Sequence, residues 1–183
     1  FSMVKFAQLK TLAKNTVGRS DAFLLKQMEI TIDIENQLDA KIDEIESQIL
    51  ECIRALNPPI LTIPGIGELT AAIILSEYGN INKFENPAQL LSFAGLEPGY
   101  YQSGLAEHQG HMVKHGSSHL RYALMNACLP LITYEPVFAE YYAKKRAEGK
   151  PHRVALTHVA KKLLRVIFTL QTKNISYDPT LIR

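Results

Sequence analysis

Between Asp21 and Leu56 the chain holds no glycine or proline, and its apolar residues recur at helical spacing. Met28, Leu38, Ile42, Ile45, Ile49, Cys52 and Leu56 settle into a four-three alternation after the off-register Glu35, which makes a heptad seam. At 1.5 Å per residue the helix carrying it is about 50 Å long. One helix cannot cover both that seam and its acidic flanks. The stretch is therefore expected to be a coiled-coil arm, pairing with a second copy or folding back as an antiparallel hairpin. Ser20 or Asp21 is the expected N-cap. Asn57-Pro58-Pro59 ends the helix, because proline lacks an N–H and drives its predecessor out of the α region.

Beyond the prolines, shorter helical patterns occupy 67–78, 87–95, 117–133, 135–148 and 152–172, punctuated by glycine and proline. Alternating strand patterns are nearly absent. The predicted fold is all-α, with a basic segment at 1–20, the coiled-coil arm at 21–57 and a compact helical domain at 58–183. Residues 96–116, with Pro98, Gly99, Gly104, Gly110 and Gly116, read as one long irregular segment. A loop of that length in a compact domain is usually functional.

Composition narrows the class. The 183 residues are 46% hydrophobic and 21% charged, and no apolar run approaches the roughly 18 residues of a membrane span. A soluble globular protein with no membrane segment and no secretory signal is expected. Cys52 and Cys128, each inside an apolar helical pattern, read as buried thiols of a reducing compartment, so the expected location is the cytoplasm.

The net charge of +2 hides a strong polarity. Residues 1–28 carry +4, residues 29–51 carry −7, and Tyr141–Lys173 sets nine bases against Glu148 alone, a local +8. That basic stretch, with Lys161, Lys162 and Arg165 at its centre, suits a polyanion-binding surface beside a self-associating acidic element. A solvated helix face is the plainer alternative.

Leu61-Thr-Ile-Pro-Gly-Ile-Gly-Glu-Leu-Thr-Ala-Ala72 fits the helix-hairpin-helix pattern, read here over 61–79. Gly65 and Gly67 would let the backbone approach a phosphate, and the free N–H groups of the helix beginning near Glu68 would supply donors and partial positive charge. A purely structural turn has the same sequence. Glu68 departs from the neutral or basic residue that such DNA-binding hairpins favour.

Taken in order, the motifs resemble a known family. They run Ile63-Pro-Gly-Ile-Gly-Glu-Leu-Thr-Ala-Ala72, Phe84 and Pro87, Leu90, Phe93-Ala-Gly-Leu-Glu-Pro98, Gln102-Ser-Gly104, Lys114-His-Gly116 and Leu120-Arg-Tyr-Ala-Leu124. Pro136-Val-Phe138 with Tyr141-Tyr142, and Gly149-Lys-Pro-His152 leading to Ala160-Lys-Lys-Leu-Leu-Arg165, extend the match over residues 20–172. The chain thus resembles the C-terminal domain of insertion-sequence transposases of the IS-one-ten type, also called DEDD transposases. The resemblance implies a DNA recombinase whose N-terminal RuvC-like domain holds an acidic tetrad with Mg²⁺. A coiled coil joins that domain to this one, which contributes a nucleophilic serine, and an element-encoded bridge RNA guides the complex. Partners implied are DNA, a guide RNA and a second copy of the chain. No RuvC-like acidic domain precedes residue 20, so the tetrad and its Mg²⁺ are expected outside this chain, with no cofactor or metal inside it. Glu107, His108 and His111 stand where many relatives look more basic or glycine-rich.

The Ser-Gly position of the family implies that Ser103 is the nucleophile; the residues by themselves read more simply as a turn or solvent serine. A serine–DNA phosphodiester would conserve the bond energy needed for rejoining. Serine is a weak nucleophile, so a proton acceptor and cations must assist it, and Lys114 and Arg121 are the nearest basic candidates. Tyr100 and Tyr101 are rival nucleophiles without the arginine and histidine constellation of tyrosine recombinases. Ser117 and Ser118 read as N-caps of the next helix. His108, His111, His115 and His119 recur every three or four residues, as zinc ligands on one helix face would, although Gly110 and Gly116 disfavour a continuous helix and solvent-exposed or phosphate-contacting histidines fit too. Two functions remain: the nucleophile-bearing part of a transposase, inactive alone, or a non-catalytic helix-hairpin-helix module that dimerises and holds DNA or RNA.

Overall fold

The computed structural model describes the backbone of residues 2–15, 18, 21–103, 106–112 and 114–182, and the side chains of these outside 98–112 and 181–182. The chain divides into two compact units, Phe1–Ile45 and Glu46–Arg183.

The first unit contains α1 (Met3–Lys14) and the larger part of α2 (Ala22–Leu56). Helix α1 occupies the segment expected only to be basic, and it buries none of its residues. Asp21 caps α2, its Oδ1 accepting from the Phe23 N–H at 2.8 Å. Helix α2 runs unbroken to Asn57, whose left-handed φ of +40° precedes the two prolines that stop it. Within the single chain Leu38, Ile42, Ile45 and Leu56 of the seam are exposed, and the one buried residue of α2 is Ile53, off the seam. Cys52 is correspondingly exposed, not buried as expected. Cys128 is buried, and desolvation pushes its thiol up to about 12.

The second unit is built around α7 (His152–Lys173), which packs against α4 (Pro87–Phe93), α5 (Ser118–Tyr134), α6 (Pro136–Ala147) and the 3₁₀ turns Pro59–Thr62 and Ile81–Lys83. Helix α3 (Glu68–Tyr78) packs on α5. The reason lies in α7's apolar spacing: Leu156, Val159, Ala160, Leu163, Leu164, Ile167 and Leu170 recur every three or four residues and are all buried. They meet Leu120, Leu124 and Leu131 of α5, Ile74 of α3, Leu90 of α4 and Phe138 of α6 in one core. Full burial of each such side chain is worth about 1.5–3 kcal/mol.

Helices make the fold, as expected, with one departure. Residues 96–116 are not an irregular loop: β1 (Pro98–Ser103) and β2 (Ala106–Met112) pair antiparallel, with a register irregularity between Pro98 and Tyr100. The element immediately before α3 is the four-residue 3₁₀ turn at Pro59–Thr62.

Candidate nucleic-acid interface

The Pro64-Gly65-Ile66-Gly67 turn follows the buried Ile63 and itself contains the buried Ile66. Gly65 has φ +87°, and a Cβ there would lie 2.9 Å from the carbonyl carbon and oxygen of Pro130 in α5. Its glycine requirement therefore comes from close packing on α5. Gly67 is different: it is the N-cap of α3, with φ −79°, and a Cβ on it would meet nothing within 4 Å. The open N-terminus of α3 carries a carboxylate of its own. Glu68 is bound by Arg54, with Nε 2.9 and 3.0 Å from its two oxygens and Nη2 2.7 Å from Oε2. These hydrogen bonds hold the Glu68 carboxyl below the usual carboxylate range and raise the Arg54 guanidinium. Sequence reasoning flagged Glu68 and missed its partner, which is fourteen residues away across the proline break.

Ser103 is the last residue of β1 and pairs with Ala106, so it stands at the end of the ribbon; Gly104 lies outside the described residues. Tyr100 and Tyr101 pair with Gln109 and His108 further down the same strands. Both roots of the ribbon are tied to the C-terminus of α4. Before β1, the Leu96 N–H donates to the Leu91 carbonyl at 3.0 Å and the Leu96 side chain is fully buried. After β2, the Ser117 N–H donates to the Phe93 carbonyl at 2.8 Å, and Gly116, at φ +124°, lies so close that a Cβ would sit 2.2 Å from that oxygen. Ser117 caps α5 as expected, accepting from the Leu120 N–H, while its hydroxyl donates to Glu77 of α3 at 2.5 Å.

Arg121 is placed differently from a free phosphate ligand. It is half-buried, and its Nη1 donates to the Ala94 carbonyl at 3.1 Å, a second tie, after Ser117–Phe93, between α5 and the end of α4. Lys114 is exposed, three residues before the Ser117 cap. The histidines at 108, 111, 115 and 119 fall on β2, the following segment and α5, so they share no helix face. Among the described residues no three His, Cys, Asp or Glu side chains converge as metal ligands do.

On α7, Lys161 and Arg165 are one turn apart. Burial first, and the Arg165 charge second, lower the Lys161 ammonium, while Glu97, the residue before β1, acts in the opposite direction. Lys161 is thus within electrostatic reach of Glu97 at the ribbon's root. Lys162 points elsewhere: its Nζ lies 4.9 Å from the centre of the Tyr141 ring and 5.5 Å from that of Phe138, both on α6. Gly65 and Gly67 do not join this group. Gly65 packs at Pro130, about 14 Å along α5 from Arg121 at 1.5 Å per residue.

Residues 57–143 match the model of the transposase family IS116/IS110/IS902. A protein of insertion element IS110 from Streptomyces coelicolor is 32% identical over 136 residues, 73% of this chain and 34% of that protein. The pilin gene-inverting protein of Moraxella bovis is 30% identical over 151 residues, 80% of this chain and 46% of its own length. The transposase of insertion sequence element IS1111A from Coxiella burnetii is 28% identical over 157 residues, 84% of this chain and 41% of its own. The chain thus spans between a third and a half of the length of these relatives. Through the domain that contains the packed turn, the ribbon and its anchors, the chain belongs to the IS116/IS110/IS902 family of transposases.

Proposed function

We propose that this chain is the nucleic-acid-binding and nucleophile-bearing part of a transposase that breaks and rejoins DNA through Ser103. The observation that carries the reading is the position of Ser103 on the last paired residue of a ribbon whose roots are fixed to the end of α4. A ribbon with a fixed base would hold a small nucleophile at its end for attack on a bulky phosphodiester. The relatives named for transposition and gene inversion support the same reading.

In the step proposed, the Ser103 Oγ–phosphorus bond forms, the bond from phosphorus to one sugar oxygen breaks, and that oxygen leaves as a hydroxyl. The serine proton passes to a general base, and the reverse attack by a new sugar hydroxyl rejoins the strand without ATP. The Mg²⁺ that the family resemblance implies would be held by the RuvC-like domain, outside this chain. A guide RNA would supply the sequence choice, and the uncovered α2 seam would hold two copies together. Duplex-sized contacts here are to phosphate, which fixes position without reading sequence.

The test is recombination of a reporter by the full-length protein. Ser103→Ala should abolish recombination and leave DNA affinity within about twofold. Retained recombination would reduce this domain to a binding module.

A further inference from the structure

Charge is concentrated most tightly at the turn between α6 and α7. Gly149, at φ +79°, reverses the chain, and the N–H groups of Gly149 and Lys150 return to the carbonyls of Arg146 and Lys145 at 3.0 and 3.3 Å. This Schellman closure favours glycine at the reversing position. It folds Lys150 back beside Lys145 with Glu148 between them. Lys145 Nζ lies 2.8 and 3.1 Å from the two Glu148 oxygens, and Lys150 Nζ lies 2.5 Å from Oε2. Lys145 keeps only 17% of its side chain exposed. His158 of α7 is within electrostatic reach of the turn: burial first, then the charges of Lys161, Lys145 and Lys150, lower its imidazole, while Glu148 acts in the opposite direction. His158, Lys161 and Arg165 follow one another at three and four residues, so the cluster continues into the Lys161–Arg165 face along about 10 Å of helix.

A carboxylate accepting from two ammoniums occupies the place, and carries the charge, of the two non-bridging oxygens of a phosphodiester. We infer that the Lys145–Lys150–His158 cluster is a backbone-phosphate site of the DNA interface, and that Glu148 is its built-in occupant, displaced when DNA binds. The inference rests on the reading of α7 as a DNA-facing surface. Its consequence is a threshold: loosely held polyanions exchange one anion for another with little gain, whereas DNA already seated on Lys161 and Arg165 presents its phosphate at high local concentration.

The experiment is fluorescence anisotropy of the 183-residue chain with a labelled duplex DNA across a salt series, with circular dichroism confirming that every variant is folded. Glu148→Gln should tighten binding about threefold to tenfold at low salt, since one exposed charge pair a few ångströms apart is worth about that factor. It should also steepen the salt dependence, and Lys145→Gln in the same background should remove the gain. Unchanged or weaker binding by Glu148→Gln would make Glu148 a fixed tie of the two lysines and overturn the inference. If Lys161→Gln with Arg165→Gln weakens binding while Glu148→Gln does not strengthen it, only the occupant idea falls. A chain that binds no duplex overturns both.

Discussion

At the scale of single residues, three glycines of the domain differ in what a methyl group would meet. Gly116 and Gly65 combine positive φ with backbone 2.2 and 2.9 Å from an added Cβ, whereas Gly67 is extended and open. Gly116→Ala and Gly65→Ala should each cost about 2–4 kcal/mol in urea unfolding, and Gly67→Ala less than about 0.5 kcal/mol. Equal costs at all three would contradict the packing described. Both motif glycines were legible in the sequence, but the reason for Gly65 was not, because the neighbour that excludes a side chain is sixty-five residues away in α5. Glu148 offers a second residue-scale prediction. Its hydrogen bonds from Lys145 and then Lys150 depress its carboxyl to about 2. A depressed carboxylate stabilises the fold above its unfolded value of 4.5 and loses that contribution as pH falls through its folded value. Carboxyl NMR should therefore find Glu148 titrating near 2, and a midpoint in the ordinary glutamate range would mean that the lysine ties do not persist in solution.

At the scale of elements, the helices were the legible part: α5 and α6 carry a clear cap and α7 a clear apolar period. The ribbon was not legible. Residues 106–112 read Ala-Glu-His-Gln-Gly-His-Met, with no alternation of apolar and polar positions, so period-two reasoning had nothing to detect. The remaining signal was Gly104-Leu105 between two runs, a spacing that suits a two-residue hairpin connection. Two elements make predictions. The α2 seam is expected to pair with a second copy: Leu38 and Ile42 are 58% and 51% exposed in the single chain, so Leu38→Asp with Ile42→Asp should leave the fold intact and give a monomer by light scattering. An unchanged mass would exclude the seam. Helix α7 should meet phosphates through Lys161 and Arg165, so neutralising both should lower the slope of log affinity against log salt by about 1.8. Neutralising Lys162, held over the Tyr141 and Phe138 rings, should lower it less. Equal effects would mean that α7 does not present one face to DNA.

At the scale of the whole molecule, the chain forms two compact units and spans between a third and a half of the length of the relatives compared. The family was legible from the ordered motifs alone, while the role of Arg121 was not, because its tie to Ala94 spans two helices and the ribbon between them. The central claim is the nucleophile. It is tested most directly by trapping the covalent intermediate in the full-length recombinase with Mg²⁺, guide and target, digesting it, and mapping the DNA-linked peptide by mass spectrometry. The DNA-linked peptide should carry its modification on Ser103, with no adduct from Ser103→Ala; DNA linked to Tyr100 or Tyr101, or an adduct that persists in Ser103→Ala, would contradict the assignment.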